Sequence, residues 1–318
     1  MKLVLALLGI LLCALILVAL LTVWRAGRNE AAAEADYPPA GQFVEVNGTR
    51  VHYIDEGEGP AVVLIHGSGG NLNDWTFDMV GRLRDRYRVI AFDRPGLGYT
   101  EMIGQGASIT DQARLLADAA TAIGADNPMV VGHSFGGAVA VAWGVERPDV
   151  LAGLVVLAGA TNPWDTGIST YYRLLSHPVA GPIMATLLAA WVPERIVTEN
   201  VEAVFKPQTA PEGYGEHFGP GLTLRRFSLL ENARQRADLL PQIEALVPHY
   251  ARIDVPTEIL HGDADTTVGL EIHSIPLSQQ IPDARLTVLD GVGHMPQHAA
   301  PEALEAAIDR LAQRAGLR

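Results

Sequence analysis

The five residues Gly132-His133-Ser134-Phe135-Gly136 constrain this chain more than any other stretch. They follow the apolar run Met129-Val130-Val131 directly and open a helical pattern from Phe135 to Arg147. A strand that turns into a helix over so few residues brings backbone against backbone, so a side chain at either glycine would clash. The turn lifts the Ser134 hydroxyl clear of the strand, with the helix N-terminus and its free N–H groups behind it. Alone, G-x-S-x-G is a weak match, because an ordinary glycine-rich strand–helix turn reads the same way. The surroundings have to decide.

Those surroundings read as alternating strands and helices. Phe43–Val46 and Val51–Ile54 flank Asn47-Gly48, a strong type I′ hairpin signal. Buried strands are expected at Ala61–Ile65, Arg88–Phe92, Met129–Val131, Leu154–Leu157, Thr257–Leu260 and Leu286–Leu289. Most are continuous apolar runs, as in parallel strands covered on both faces. Helical patterns at Trp75–Arg84, Ile109–Ile123, Phe135–Arg147 and Pro301–Ala312 separate them. The fold class is therefore α/β, a mostly parallel sheet with helices on both faces and right-handed crossovers.

The rhythm breaks between residues 161 and 248, which read as short helices with Pro and Gly punctuation and no strand. Seven of the 20 aromatics fall between 161 and 218, among them Tyr171, Tyr172, Tyr214 and Phe218. They suit either a small helical core or the lining of an apolar pocket under a lid.

Mean hydropathy is +0.17, high for a soluble globular chain with 6% aromatics. The amino-terminal segment accounts for much of it. Leu3 to Trp24, about 22 residues, carries no charge and no proline, and a helix of that length spans the ~30 Å hydrocarbon core of a bilayer. Trp24, Arg25 and Arg28 follow as interfacial residues would. Residues 1–28 are read as a single-pass membrane anchor. The alternative is secretion after signal-peptide cleavage, for which Ala31–Ala35 offers A-x-A sites. A signal peptide's apolar region is shorter, about 7–15 residues. Cys13 follows Leu12, not the small residue of a lipoprotein site. Lys2 with the amino terminus balances Arg25 with Arg28, so the side of the membrane stays open. Residues 29–40, rich in Ala and Glu and ending at Pro38-Pro39, read as a linker. The remaining expected boundaries are 41–160 and 249–318 for two parts of one catalytic core, and 161–248 for the lid.

The net charge is −13, all of it on residues 37–318, since Lys2, Arg25 and Arg28 offset Glu30, Glu34 and Asp36. So few basic residues argue against a nucleic-acid partner. A single cysteine excludes a disulfide framework and a multi-cysteine zinc site. An acidic surface reaching the site mouth would favour neutral or cationic substrates.

Three further segments carry chemistry. His66-Gly67-Ser68-Gly69-Gly70 follows a strand, and its backbone can present an N–H to a developing oxyanion. The oxyanion hole is assigned to the N–H groups of Ser68 and Phe135. His261-Gly262-Asp263-Ala264-Asp265 supplies two acids past a strand, and Gly293-His294 a histidine past the next. Ser134, an acid and His294 thus come in the order Ser…Asp…His, each at the carboxyl end of a strand, where open α/β sheets place their sites. Pro296 between His294 and His298 speaks against a metal-binding pair on one helical face. His133 is expected to point away from Ser134, His66 to brace the loop at Gly67, and Asp93 to pair with Arg94. His217, His249 and His273 are expected as surface or packing residues.

With these motifs in place the sequence resembles the α/β-hydrolase superfamily, in the lid-bearing branch with esterases, C–C hydrolases and haloperoxidase-like enzymes. The resemblance spans roughly residues 42–315 and includes Asp93-Arg94-Pro95-Gly96-Leu97-Gly98 and Gly293-His294-Met295-Pro296. It implies the α/β-hydrolase fold with an inserted helical lid, and it favours Asp265 over Asp263 as the acid. Dehalogenases and epoxide hydrolases of this branch carry Asp at the elbow, and here it is Ser134. The expected activity is that of a membrane-anchored serine hydrolase cleaving a carboxylic ester with an apolar acyl or alcohol part. Its catalytic residues would be Ser134, Asp265 and His294, supported by Gly132, Gly136, His66 and Gly67, with no metal or organic cofactor. The alternatives are a C–C or amide hydrolase, or a perhydrolase, using the same three residues. A non-catalytic binding module is the remaining class.

Overall fold

The computed structural model describes all residues, 1–318. Eight strands form one sheet in the order β1-β2-β4-β3-β5-β6-β7-β8. They are β1 Gln42–Val46, β2 Thr49–Glu56, β3 Ala61–Ile65, β4 Arg88–Phe92, β5 Met129–His133, β6 Gly153–Leu157, β7 Thr257–Gly262 and β8 Ala284–Leu289. The first hairpin turns on Asn47 and Gly48, both at positive φ (52° and 77°), as a type I′ turn requires. β2 pairs antiparallel with β4, and all later pairings are parallel. The carboxyl ends of β3 to β8 therefore share one edge.

Alternate residues of these strands enter two separate cores, because side chains point to opposite faces with a period of two. Val63, Ile65, Val130, Val156 and Ile259 pack on one face with α2 (Ile109–Ala122) and α3 (Phe135–Glu146). Val62, Leu64, Val131, Val155 and Leu260 pack on the other with α8 (Pro301–Arg314). α2 is stopped at its start by Ser108, whose hydroxyl accepts the Asp111 N–H at 3.0 Å. The helix expected over Trp75–Arg84 is instead two short pieces, Asn73–Thr76 and Met79–Leu83. The break falls at Asp78, whose backbone leaves the helical region (φ −146°) and whose carboxylate holds Arg82.

Between Leu157 and Thr257 the chain is helix and loop only. The longer pieces are α4 (Thr170–Ser176), α5 (Ala180–Trp191), α6 (Glu194–Ala203) and α7 (Arg226–Leu246).

The amino-terminal helix α1 runs from Lys2 to Asp36 and is long and apolar enough to cross a membrane. Its first part, Leu3 to Leu21, is exposed throughout. The linker expected over 29–40 is corrected here: the helix continues to Asp36, and only Tyr37–Gly41 connects it to β1. The Ala-rich stretch is a strong helix former, and its polar side chains have tertiary partners. Asn29 donates to the Ala189 carbonyl at 2.9 Å, and Arg25 to that of Ala190 at 2.7 Å. Glu30 takes a bidentate pair from Arg226 (2.8 and 2.7 Å), and Glu34, one turn on, meets Arg225 at 3.1 Å. Burial would raise the Glu30 pKa, but the Arg226 hydrogen bonds and charge outweigh it and lower it.

Candidate active site

Ser134 caps α3 at φ 55°, ψ −116°, a strained conformation for a non-glycine residue. The neighbouring glycines make it possible. A Cβ at Gly132 would run into the Gly136 backbone, and one at Gly136 into the carbonyls of Ile65 and His66. The hydroxyl is thereby presented at the sheet edge where β7 and β8 deliver their loops.

There Ser134 Oγ lies 3.0 Å from His294 Nε2, and His294 Nδ1 donates to Asp265 Oδ2 at 2.7 Å. All three side chains are buried. The other oxygen of Asp265 accepts the N–H groups of Thr267 (2.7 Å) and Val268 (2.9 Å). Burial would raise the Asp265 pKa, but hydrogen bonds from His261 and His294 overcome it and hold the carboxyl well below its ordinary range. Asp265 is therefore a fixed anion whose Oδ2 meets His294 Nδ1 at 2.7 Å and His261 Nε2 at 3.2 Å. Asp263 is exposed and accepts the Gly291 N–H at 2.7 Å, which shapes the loop before His294.

The loop after β3 faces the serine. Gly67 packs so closely that a Cβ there would sit 3.2 Å from both the Ser134 Cβ and His133 Nδ1. The backbone N–H groups of Ser68 and Phe135 donate to no protein group. His66 Nδ1 donates to the Gly67 carbonyl at 2.9 Å, while its Nε2 accepts the Arg94 N–H at 3.0 Å. Burial, helped by the Arg94 charge, lowers the His66 pKa to about 4 and keeps the ring neutral.

The expected Asp93–Arg94 pair does not form. Asp93 accepts from Leu72 N–H (2.7 Å), Tyr99 N–H (2.8 Å) and His52 Nδ1 (2.6 Å). Arg94 turns the other way, donating to the carbonyls of His66 (3.0 Å) and Gly67 (2.9 Å) and to Gln112 and Gln235. Adjacent residues on an extended segment point to opposite sides, so each found a different loop to hold. His133 turns onto the neighbouring loop, its Nε2 donating to the His294 carbonyl at 2.8 Å. Of the remaining histidines, His249 is exposed, His217 meets Thr76 at 2.8 Å, and His273 is buried, accepting the N–H groups of Thr161 and Asn162.

Sequence reasoning missed one buried network entirely. Asp74 accepts from Tyr214 (2.7 Å), His298 (2.8 Å) and Gln297 (3.1 Å), joining the loop after β3, the helical segment and the loop after His294. Burial works against the charge, yet the His298 hydrogen bond and the surrounding histidines hold the carboxyl far below its usual range. A signal existed in His298, which follows His294 by one helical turn, but its partner lies 224 residues away. No group of three or more His, Cys, Asp or Glu side chains converges as a metal site.

Ser134 and His294 open into a cavity of about 200 Å³, bordered by Tyr172, Tyr214, Phe218 and Met295. Ser68, Tyr172, Val201, Val204 and Phe218 also line a larger cavity of about 500 Å³, which is mostly aliphatic and aromatic.

The signature of the alpha/beta hydrolase family matches residues 62–307, well over half the chain. The chain belongs to that family. Haloalkane dehalogenase 2 of Mycobacterium tuberculosis is 29% identical over 287 residues, covering 86% of this chain and 94% of its own. The 2-hydroxy-6-oxo-6-phenylhexa-2,4-dienoate hydrolase of Comamonas testosteroni is 29% identical over 282 residues, 83% of this chain and 92% of its own. The crystal structure of a membrane phospholipase A matches 96% of this chain and 98% of its own, with a TM-score of 0.65 and 22% identity. The alpha/beta hydrolase described here is thus an enzyme of the hydrolase class, acting on a small molecule, with a fold shared well beyond its sequence relatives.

Proposed function

We propose that this hydrolase is a membrane-anchored serine esterase whose substrate carries an apolar part. The observation that carries the reading is the unbroken chain from Ser134 Oγ through His294 to Asp265, at 3.0 and 2.7 Å. His294 Nε2 takes the hydroxyl proton as Oγ attacks the acyl carbon. Negative charge moves onto the carbonyl oxygen, which the free N–H groups of Ser68 and Phe135 receive. The tetrahedral adduct collapses, the alcohol leaves with the proton held by His294, and an acyl-enzyme remains. Water then gives its proton to His294 and attacks the acyl carbon, releasing the acid and restoring Ser134. Asp265 stays ionised throughout and fixes the imidazole tautomer.

The 500 Å³ cavity supports an apolar acyl or alcohol part, because burying aliphatic surface there contributes roughly 25 cal/mol per Å². The helical segment 161–248 acts as the lid over it. Two features support a retained anchor. The exposed apolar run of α1 continues into a packed half, in which Ala33 of the A-x-A pattern is 2% exposed. α5 packs on that half, with Trp191 donating to Thr22 at 3.2 Å, and leaves Ile183 and Leu187, one helical turn apart, exposed.

The second reading is C–C bond hydrolysis by the same residues, favoured by the relative from Comamonas testosteroni. Halide displacement is disfavoured, since the elbow offers a hydroxyl where the resemblance implies a carboxylate. The test uses the full chain in detergent micelles. It should hydrolyse p-nitrophenyl butyrate and take a fluorophosphonate label at Ser134. Equal labelling of Ser134→Ala would sink the reading.

A further inference from the structure

Helix α7 carries Ser228, Asn232 and Arg236 four residues apart, hence on one face. Asn232 fixes where that face points. Its Oδ1 accepts both Ser68 Oγ and the Gly69 N–H at 2.8 Å, so the stripe lies against the loop opposite Ser134. The two residues flanking Asn232 keep donors in reserve. Ser228 is 2% exposed, lines the larger cavity, and its hydroxyl has no partner. Arg236 lines the cavity that holds Ser134 and His294, and its buried Nε has no partner either.

Arg236 stands apart from the other arginines around the site. Arg94 is saturated by four acceptors, Arg225 has Glu34, and Arg226 has Glu30. No carboxylate lies within ion-pair distance of Arg236. Its guanidinium instead lies over the Tyr172 ring at 5.3 Å, which orients the planar fork. Asp74, the carboxylate that lines the same cavity, is already committed to Tyr214, Gln297 and His298. Burial is the main depressor of the Arg94 and His273 pKa values, and the Arg236 charge adds to it. A cation with unspent donors in a cavity lined largely by protein is suited to meet an oxyanion.

We propose that Arg236 is an anion subsite, so that the substrate is an ester bearing a carboxylate or phosphate group beside its apolar part. The proposal rests on the serine-esterase reading for its turnover, but anion binding itself does not need turnover.

The test compares full-length wild type, Arg236→Gln and Arg236→Lys in detergent micelles. Substrates are p-nitrophenyl butyrate, mono-p-nitrophenyl glutarate and dibutyroyl phosphatidic acid, with tributyrin as the neutral glyceride. Arg236→Gln should lower the anionic-to-neutral ratio of kcat/KM at least tenfold, chiefly through KM, and Arg236→Lys should restore part of it. The ester with the larger loss identifies carboxylate or phosphate as the group recognised. Calorimetric binding of glutarate and methyl phosphate to Ser134→Ala supplies the second readout. Binding that disappears in Ser134→Ala/Arg236→Gln supports the subsite even if no ester is turned over, in which case only the esterase reading fails. A ratio unchanged in Arg236→Gln, or anion binding equal with and without Arg236, overturns the subsite while leaving Ser134 labelling intact.

Discussion

The sheet edge and the helical segment above it build one cavity by different means. Ser134, Asp265 and His294 stand just beyond β5, β7 and β8, and Asp265 alone has bonds to two histidines and two backbone N–H groups. The segment between β6 and β7 keeps Ser228 and Arg236 with donors unspent and exposes Tyr171, Leu174, Val179, Ile183, Leu187 and Trp191. Under the proposed function the edge carries the reacting groups, which need fixed geometry, because misplacement by about 1 Å can cost ~10²-fold in rate. A recognising surface needs free hydrogen-bond capacity for its ligand. The contrast separates substitutions that stop turnover from those that destabilise or loosen the protein.

The largest effects belong to the edge. Ser134→Ala and His294→Ala should each lower kcat on p-nitrophenyl butyrate about 10⁵-fold or more, with an unchanged Tm for Ser134→Ala and a lowered one for His294→Ala, which leaves the buried Asp265 short of a partner. Asp265→Asn should cost about 10⁴-fold, because the amide no longer selects the imidazole tautomer. Asp263→Asn should stay near wild type, and a comparable loss there would exchange the roles of the two acids. Asp74 joins edge to roof, so Asp74→Ala should reduce stability by about 3–5 kcal/mol in urea unfolding, with Tyr214, His298 and Gln297 left unpaired.

Acid should act next. Burial lowers the pKa values of His66, His133 and His273 to about 4 in the fold, against about 6.5 in the unfolded chain. From pH ~6.5 down to ~4 the unfolded chain binds protons that the folded chain refuses, so stability falls as pH drops through that window. Below it, Asp74 and Asp265, both depressed, lose stability as the unfolded carboxyls protonate. Urea midpoints at pH 7.5, 5.5 and 4.5 should decline in that order, and a flat series would mean the three rings are hydrated. The smallest effect is at the packed half of α1. Glu30→Ala should cost about 1 kcal/mol, and limited proteolysis should then cut α1 between Arg25 and Asp36 faster.

Legibility in the sequence followed the same division. Apolar runs announced β3 to β7 because a strand buried on both faces is mostly apolar along its length, whereas β8, expected as a buried strand too, lies at the sheet edge and is only partly covered. The elbow was readable because two glycines and a serine must be neighbours in the chain to make the turn. The Asp93 and Arg94 partners, the Asp74 network and the helical course of residues 29–36 were not readable. Each depends on groups brought together across many residues, such as Asn29 with Ala189 or Asp74 with His298. The aromatic cluster between 161 and 218 fitted both readings, and Phe205, Tyr214 and Phe218 do form a small core with Met295 while Tyr172 and Phe218 border both cavities.

Local steric and hydrophobic rules therefore carried the fold class, the position of Ser134, the order of the acid and the histidine, and the apolar length of α1, since each is expressed by neighbours along the chain. Tertiary packing alone decided that Asp265 lies within hydrogen-bond reach of His294, that α1 is clamped to α5 and α7, and that Arg236 lines the cavity of Ser134 with no carboxylate paired to it. Hydrogen bonds and ion pairs act over about 3 Å, and only the folded chain brings residues distant in sequence within that distance.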